Sequence, residues 1–427
     1  MKLLLVFLEI VLIQPQIVQI QFYKFDKNTI PNINQFLYPS IVIDSLFGIP
    51  FYPIKLCLNW DSPYTWIKEK RYNTLISEYF GYRANEKGES LIYDDALQTG
   101  FSVYDVLSFK NLKKKDQDNV EIMKILYFYL AKNFLDMETN CDGVMGMKFD
   151  HVNKSYKTVI DQLKENKVIS TSQYSIEYNS SNQGYITLNE TNNEDYIFEC
   201  NIVDDYALSQ WYSRINSIVI NGDNIMDSPF TLVKISSSFG MIMISSKMKD
   251  KVINKLIPDK ELCTETKIDI NANSIEQHYL YLICDNSIIQ KTKKNNKIEI
   301  HFQTEKDDRN IISFDNSDLF LKFNTTHVLF SIVFDISEML KFHDMIIGEV
   351  ILKKYKVNYN KDNYLIRFYP IEGSSKSSFV LKFFITLLSF MILFAFAYYL
   401  RKKFFIVKGR KKQLKNTDID LVQSPLV

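Results

Sequence analysis

The chain has 427 residues, of which 46% are hydrophobic and 24% charged, a composition typical of folded globular proteins and not of disordered chains. Its formal net charge of +1 argues against a nucleic-acid-binding protein. The charge is unevenly spread, because residues 401–427 carry eight Lys and Arg but two Asp. The length allows two to three domain-sized cores.

The first twenty residues have the layout of a secretory signal peptide. Lys2 precedes an apolar stretch from Leu3 to Ile13, as a basic start precedes the hydrophobic region of such peptides. Glu9 interrupts this stretch and no small-residue cleavage site is evident, so a buried N-terminal strand is the alternative. We expect residues 1–20 to direct the chain into the secretory pathway.

A second apolar segment lies near the C-terminus. Residues 383–400 contain no charge, and extension to residue 379 across Lys382 gives the roughly 20 residues that a helix needs to cross a bilayer. The basic run that begins at Arg401 belongs on the cytoplasmic side. We therefore predict a transmembrane helix at 379–400 and a cytoplasmic tail at 401–427. The tail is either a stop-transfer flank or a site for anionic lipids.

This topology places the intervening ectodomain in the lumen of the secretory pathway, at the cell surface or in an endolysosomal or vacuolar compartment. Four glycosylation sequons fit that expectation, at Asn153, Asn179, Asn189 and Asn324. Five cysteines suit an oxidising compartment, although the odd number leaves at least one unpaired. The nearest pair, Cys263 and Cys284, is expected to form a disulfide. No pairing is predicted for Cys57, Cys141 or Cys200.

Between residues 21 and 372, short β-type runs separated by polar turns predict a mostly-β ectodomain. The clearest predicted strands are Ile54–Leu58, Tyr174–Tyr178, Tyr185–Asn189, Ile215–Ile220, Lys297–Phe302 and Val350–Tyr359. Helical periodicity is confined to fewer stretches, such as Tyr156–Asn166 and Lys247–Leu256. About 350 residues are too many for one sandwich, so two β lobes are expected. No zinc-type spacing of Cys and His occurs, and neither metal nor cofactor is expected.

Six segments in this region carry motifs in a recognisable order. They are G-I-P at 48–50 with N-W-D-S-P-Y-T-W at 59–66, Y-D-D-A-L-Q-T-G at 93–100, D-G-V-M-G-M at 142–147, W-Y-S-R-I at 211–215, T-L-V-K-I-S-S-S-F at 231–239 and I-I-G-E-V-I-L-K-K-Y at 346–355. In this order and spacing they resemble the pepsin family of aspartic proteases, peptidase A1. The resemblance implies a bilobal double β-barrel, with an N-terminal lobe over 21–195 and a C-terminal lobe over 196–372.

By this resemblance the two catalytic aspartates of the family fall at Asn59 and Lys234. Aspartic proteolysis needs two carboxylates that share a proton and activate a water. Asparagine does not titrate, and lysine brings a positive charge, so the resemblance implies that the catalytic pair is lost. Asp61 remains as a possible residual acid. It is expected to pair with Lys234, or both side chains are solvated in an open cleft.

Other positions of the resemblance concern support of the cleft. Tyr93 falls at the flap tyrosine, where it either covers a ligand or packs on Trp66. The supporting residues are Ser62, Trp66, Ser237 and Ser238. The family's threonines and close-approach glycines beside the aspartates are replaced, in the two lobes, by Trp60 and Asp61 and by Ile235 and Ser236. The indole, the carboxylate and the ammonium are expected to crowd the site.

The favoured hypothesis is a single-pass membrane pseudoprotease whose cleft binds a peptide or protein. The alternative is an active membrane-anchored aspartic endopeptidase. A third possibility is a surface glycoprotein with no ligand in the cleft.

Overall fold

The computed structural model describes residues 17–24, 41–75, 77–82, 90–91, 97–110, 121–134, 141–148, 157–180, 182–190, 196–203, 211–227, 231–272, 275–292, 295–303, 310–337, 345–371, 389, 391–399 and 401. The chain divides into two compact units, residues 1–371 and 372–427. Within the first unit the described residues are mostly β.

The strands of the described residues are β1 (Val18–Lys24), β2 (Ile41–Phe47), β3 (Tyr52–Asn59), β4 (Trp66–Lys68), β5 (Gly81–Tyr82), β6 (Ser90–Leu91), β7 (Leu97–Lys110), β8 (Glu121–Phe134), β9 (Gly143–Gly146), β10 (Gln173–Tyr178), β11 (Gln183–Leu188), β12 (Phe198–Asn201), β13 (Tyr212–Ile220), β14 (Asp223–Asn224), β15 (Thr231–Ile235), β16 (Ile242–Ser245), β17 (Cys263–Ala272), β18 (Ile275–Asp285), β19 (Lys297–Phe302), β20 (Ile311–Asp315), β21 (Phe320–Lys322), β22 (His327–Phe330), β23 (Ile332–Asp335), β24 (Met345–Ile347), β25 (Tyr355–Asn360) and β26 (Leu365–Pro370).

Short helices connect some of these strands. The α-helices of the first unit are α1 (Val159–Glu165), α2 (Lys249–Leu256), α3 (Ile288–Lys291) and α4 (Asn316–Leu319). Single 3₁₀ turns occur at Glu69–Arg71, Ser246–Met248, Lys260–Leu262 and Glu349–Lys353. Helix α1 begins with a capping box, in which Thr158 and Asp161 satisfy each other's backbone N–H groups.

The strands form two sheets. The first has fourteen strands, in the order β12-β26-β25-β10-β11-β1-β2-β3-β9-β4-β8-β7-β5, with β6 beside β7. The second has twelve, in the order β20-β19-β13-β15-β24-β16-β23-β18-β22-β21, with β14 beside β13 and β17 beside β18. The first sheet crosses the predicted lobe boundary at residues 195 and 196, because β10 pairs with β25.

The N-terminal strand begins within the predicted signal peptide. Val18 is fully buried, Ile20 is 2% exposed, and β1 pairs with β11 from Val18 to Tyr23. Strand β1 is thus built into the sheet, and the folded part of the chain begins no later than Val18. The rest of the predicted signal peptide lies outside the described residues.

The C-terminal unit contains a helical stretch at residues 391–399. Most of the predicted membrane span at 379–400 and nearly all of the basic tail lie outside the described residues. No described helix is both long and apolar enough to cross a membrane.

One predicted strand is partly wrong. The run Val350–Tyr359 was expected to be extended, but its first residues belong to the 3₁₀ turn Glu349–Lys353, and strand β25 begins at Tyr355. Val350, Ile351 and Leu352 are all buried, at 2%, 0% and 0% exposure. Three successive apolar residues are equally consistent with a buried strand and a buried helical turn, and here core packing selects the turn.

Each sheet contains a parallel pair that leads to the candidate site. Strand β3 lies parallel to β9, with Asn59 opposite Gly146, and β15 lies parallel to β24, with Ile235 opposite Ile347. A Cβ atom at Gly146 would collide with the backbone of Pro63. Glycine is therefore required where β9 passes beneath the loop that follows Asn59.

The equivalent close approach in the second sheet is at Gly348. A Cβ atom there would collide with the carbonyl oxygens of Phe239 and Met241. The two loops of the site, residues 59–65 and 234–239, are thus each supported by a glycine that follows two apolar residues.

An aromatic cluster lies in the core where β10 and β25 pair. The rings of Tyr174 and Tyr359 stack with centroids 5.1 Å apart, and Trp211 meets Tyr359 edge-on at 4.9 Å. Trp60 also reaches this cluster, 6.5 Å from Tyr359, and is 1% exposed. The cluster joins side chains from both predicted lobes into one core.

Two disulfides lie in the first unit. Cys263 and Cys284 stand opposite each other at the base of the β17–β18 hairpin and are bonded, with Cα atoms 4.0 Å apart. Cys57 and Cys141 form a second disulfide, with Cα atoms 5.7 Å apart. Cys200 is buried and does not form a disulfide, and burial raises the pKa of its thiol to about 12.

Candidate functional site

Asn59 is the last residue of β3, and its side chain contacts residues of both loops of the site. Its side-chain oxygen accepts a hydrogen bond from the N–H of Asp61 at 2.7 Å and from the hydroxyl of Ser238 at 3.2 Å. Its carbonyl oxygen accepts from the N–H of Met147 at 2.8 Å. The amide at this position therefore acts as an acceptor that ties residues 59–61 to the opposite loop.

Lys234 lies within β15, between Tyr212 of β13 and Ile346 of β24. Its side chain is 11% exposed, and its Nζ lies 2.5 Å from Oδ1 of Asp61. The hydroxyl of Ser236 donates to the same carboxylate oxygen at 3.2 Å. The structure thus places an ion pair, supported by a serine, where the resemblance expects two aspartates.

The charges of this pair compensate each other. A largely buried ammonium is costly unless a counter-charge lies beside it, and the Asp61 carboxylate supplies that charge. Asp61 itself retains 32% exposure of its side chain. Burial and the negative charge of Asp61 together hold the pKa of Tyr212 well above its usual range, so this phenol stays neutral.

The arrangement lacks the chemistry of an aspartic dyad. Among the described residues, Asp61 contributes the carboxylate that lies within ion-pair distance of Lys234. One of its oxygens is already shared by an ammonium and a hydroxyl. Asn59 contributes an amide, which neither gives nor takes a proton in the working range. A water held here would find no pair of carboxylates to share its proton.

The loops are also bonded directly to each other. The hydroxyl of Ser238 accepts from the N–H of Trp60 at 2.8 Å and donates to Asn59. With the contacts of Asp61 to Lys234 and Ser236, this makes four cross-links between the two loops. The hydrogen bonds of Ser236 and Ser238 were not predicted from the sequence. The sequence did show a serine at position 236 where the family has glycine, and this serine makes the hydrogen bond to Asp61.

The predicted crowding of the site is only partly observed. The indole of Trp60 packs into the aromatic cluster beside Tyr359 and is 1% exposed, so it lies in the core. The backbone after Asn59 turns the large side chain inward, where the stacked tyrosines provide apolar contact. The carboxylate of Asp61 and the ammonium of Lys234 remain at the site.

The other predicted supporting residues, Ser62, Trp66 and Ser237, are buried. Ser62 is fully buried, and its hydroxyl accepts from the N–H of Tyr64 at 3.1 Å. Trp66 is 2% exposed and pairs with Tyr129 of β8 and with β9. Ser237 is 1% exposed. Of the four predicted supporting residues, Ser238 makes the hydrogen bonds that cross between the loops.

The remaining predicted residues are the flap tyrosine and the four glycosylation sequons. Tyr93 and Asn153 lie outside the described residues. Asn179 and Asn324 are exposed in turns. Asn189 is 6% exposed, and its side-chain oxygen accepts hydrogen bonds from residues 170 and 171, so its burial conflicts with the predicted glycan. No group of three or more His, Cys, Asp or Glu that could hold a metal occurs in the described ranges.

Comparison with known proteins agrees with the fold. The sequence profile described as "Eukaryotic aspartyl protease" matches residues 67–371, an interval that contains Lys234 and begins just after Trp66. A search of curated protein sequences finds no significant match.

A similar solved structure is the crystal structure of aspartic proteinase from Irpex lacteus. It is 14% identical, and the alignment covers 85% of this chain and 100% of that one with a TM-score of 0.59. At this identity the similarity concerns the fold. The profile spans more than half of the sequence, and the chain therefore belongs to the eukaryotic aspartyl protease family, peptidase A1.

Proposed function

We propose that this chain is a membrane-anchored pseudoprotease that binds a peptide or protein in its cleft and does not cleave it. The observation that carries this proposal is the ion pair of Lys234 with Asp61 beside the amide of Asn59. By the resemblance of the sequence motifs, Asn59 and Lys234 correspond to the positions at which the family's chemistry requires two carboxylates.

Both halves of the reaction are affected. General-base activation of water needs a carboxylate free to take a proton, and the accessible carboxylate, Asp61, is engaged by Lys234 and Ser236. Protonation of the developing oxyanion needs a second acid, and an asparagine amide cannot fill that role. Loss of general acid–base catalysis alone costs about 10²–10⁴-fold in rate.

Ligand binding does not require the pair of carboxylates that catalysis requires. The two loops remain held together by four contacts, and Asp61 remains partly exposed between them. A carboxylate in that position offers an acceptor to the N–H groups of a bound peptide. The fold of the family is thus retained around a site whose polar groups favour binding.

The experiment uses the purified full-length chain in detergent. It is incubated with a denatured protein mixture at acid and neutral pH, with and without pepstatin, beside an Asp61→Asn variant. We expect no cleavage in any sample. Pepstatin-sensitive cleavage that Asp61→Asn abolishes would instead establish the active membrane-anchored endopeptidase.

Membrane anchoring forms part of the proposal. The uncharged run at 383–400 and the basic residues from Arg401 onward support a single span with a cytoplasmic tail. The Cys57–Cys141 and Cys263–Cys284 disulfides support an oxidising compartment for the ectodomain. Resistance to alkaline carbonate extraction, lost on truncation after residue 372, tests the anchor. Release of the untruncated chain by carbonate would contradict it.

A further inference from the structure

Among the described residues, no strand pairs with the outer edge of β8 beside Ile125. Strand β8 pairs with β7 along its length, whereas β4 covers its other side only from Tyr129 to Ala131. Next to that covered part, the N–H of Tyr127 donates to Oε1 of Gln162 at 2.7 Å, and Nε2 of Gln162 donates to the carbonyl of Tyr127 at 3.0 Å. The Gln162 side chain thus occupies the place of a peptide group in a neighbouring strand.

The peptide groups of Ile125 point toward the same edge. Alternate residues of a strand direct their N–H and C=O groups to the same side. The N–H and C=O of Ile125 therefore point to the same edge of β8 as those of Tyr127. Val106, which stands opposite Ile125 on β7, supports this orientation because its carbonyl accepts from the N–H of Gly48 at 2.9 Å, on the side away from β8. Within the described part of the chain, no hydrogen-bond partner meets the outward N–H and C=O of Ile125.

An open, shallow cavity with a mixed apolar and polar lining lies beside this edge. Its volume is about 360 Å³, and it is lined by Ile49, Tyr79, Val106, Lys124, Ile125 and Asn166. Ile125 and Tyr79 are each 45% exposed, and Tyr127 is 46% exposed. The solvent-facing side of an antiparallel sheet normally carries polar residues, so exposed apolar side chains beside open backbone groups indicate a contact surface.

We propose that the β8 edge binds an extended segment of another protein by strand addition. The segment hydrogen-bonds to the outward N–H and C=O of Ile125 and places an aliphatic or aromatic side chain in the cavity. Lys124 lines the cavity and is exposed, so an acidic residue next to the inserted side chain complements its charge. The site is built from different residues than the cleft at Asn59 and Lys234.

A second copy of the chain fits this edge less well. Pairing β8 with itself brings two Lys124 ammonium groups to one short ladder, and like charges on neighbouring strands repel. Gln162 already occupies the edge at Tyr127, which limits such a ladder to residues 121–125. A foreign segment with acidic residues avoids this repulsion, and it needs only the groups of Ile125, which lie within the limit set by Gln162.

The test uses the full-length chain in detergent and fluorescein-labelled peptides in which glutamate alternates with apolar residues. Val, Leu or Phe is placed at the central apolar position, and binding is measured by anisotropy. We expect micromolar binding of at least one peptide. Failure of every peptide to bind below about 1 mM overturns the proposal.

The first variant addresses the backbone. Ile125→Pro removes the outward N–H without removing a ladder bond to β7, because proline is tolerated where the N–H faces away from the neighbouring strand. We expect binding to weaken about tenfold. The matched control, Ile125→Val, keeps the N–H and should bind within about twofold of the unmodified chain. Equal binding by Ile125→Pro contradicts strand addition.

Peptide chemistry supplies a second measurement if Ile125→Pro does not fold. N-methylation of every second peptide nitrogen blocks one edge of the probe at a time. Binding should be lost with one set of methylated positions and kept with the other. Loss with both sets or with neither set overturns the proposal.

The side-chain variants address charge and the cavity. Lys124→Glu should weaken binding of the acidic probe by about fivefold and improve binding of a probe in which lysine replaces glutamate. Tyr79→Ala should weaken binding, whereas Tyr82→Ala, an equally exposed residue that does not line the cavity, should not. Equal effects of both tyrosine variants contradict the assigned cavity.

Hydrogen exchange locates the bound probe. We expect the amide of Ile125 to exchange more slowly in the complex while the amides of residues 59–61 and 234–238 do not change. Protection confined to the latter residues places the probe in the cleft and overturns the proposal. Self-association that Ile125→Pro abolishes assigns this edge to a second copy and also overturns it.

Discussion

Lys234 Nζ and Asp61 Oδ1 lie 2.5 Å apart and link the loops at residues 59–65 and 234–239. The lysine is largely buried and the aspartate one-third exposed, so the pair combines a structural charge with an accessible one. The pair therefore contributes to cohesion between the loops.

Restoring one aspartate should not restore proteolysis. In Asn59→Asp the new carboxylate joins a site that already contains Lys234, and a positive charge there stabilises the ionised form and lowers its basicity. Asn59→Asp with Lys234→Asp supplies two carboxylates, and we expect at most trace cleavage because Asp61 adds a third charge and Ser236 occupies the glycine position. Peptide hydrolysis between pH 2 and 7 checks both variants. Strong activity of the single variant would contradict the assignment of Lys234.

Removing Asp61 should destabilise the fold more than removing its partner. Asp61→Ala leaves the largely buried Lys234 without a counter-charge, and we expect a loss of about 2 kcal/mol, less than for a fully buried pair because Asp61 is partly exposed. Lys234→Met keeps the apolar stem and should cost less. The double variant should be more stable than Asp61→Ala alone. Denaturant unfolding measures all three, and additive effects would show that the residues are not coupled.

The two disulfides should differ in their contribution to the free energy of unfolding. Cys57–Cys141 closes a loop with a sequence separation of 84 residues, and Cys263–Cys284 one of 21 residues. The chain-entropy description gives about 4.5 kcal/mol for the longer loop and about 3 kcal/mol for the shorter. Paired Cys→Ser variants and thermal unfolding test this order. A larger loss from the shorter loop would point to strain in the folded state.

Glycosylation should distinguish the sequons by burial. We expect Asn179→Gln and Asn324→Gln each to lower the mass of the expressed protein by one glycan, because both side chains are exposed in turns. Asn189→Gln should leave the mass shift unchanged and destabilise the turn, because Asn189 accepts bonds from Ser170 and Thr171. Endoglycosidase treatment and gel mobility measure the difference. A glycan found on Asn189 would contradict its buried geometry.

Cys200 should be unreactive in the folded protein. Burial raises its thiol pKa to about 12, so the nucleophilic thiolate is scarce at pH 8. Folding favours the protonated thiol, and its stabilising effect is complete below the unfolded pKa of about 8.5 and is lost as pH rises toward 12. Iodoacetamide should label Cys200 at pH 8 only in denaturant. Rapid labelling without denaturant would show that the site opens.

The sequence predicted the strands best where apolar residues alternate, as in Lys297–Phe302, which matches β19 residue for residue. It failed at Val350, because three consecutive apolar residues do not distinguish a strand from a buried turn. At the site, charge suggested that Lys234 and Asp61 pair, but an open, solvated cleft was equally consistent. The choice between these two arrangements depends on the directions of the Lys234 and Asp61 side chains, which the sequence does not specify.

Other features depended on neighbours that are distant in sequence. The Cys57–Cys141 disulfide depends on the parallel pairing of β3 with β9, which brings together cysteines 84 positions apart in the sequence. The bonds of Ser238 to Trp60 and Asn59 could not be predicted, because they depend on the rotamer of a side chain 178 residues further along the chain.

The pairing of β10 with β25 and of β12 with β26 also determines how the molecule responds to cleavage. Each disulfide joins cysteines on one side of residues 204–210, Cys57 to Cys141 before them and Cys263 to Cys284 after them. A cut within that segment leaves two polypeptides that share a sheet and the Tyr174–Tyr359 stack. They would migrate as one particle in gel filtration and separate on a denaturing gel, even without reductant.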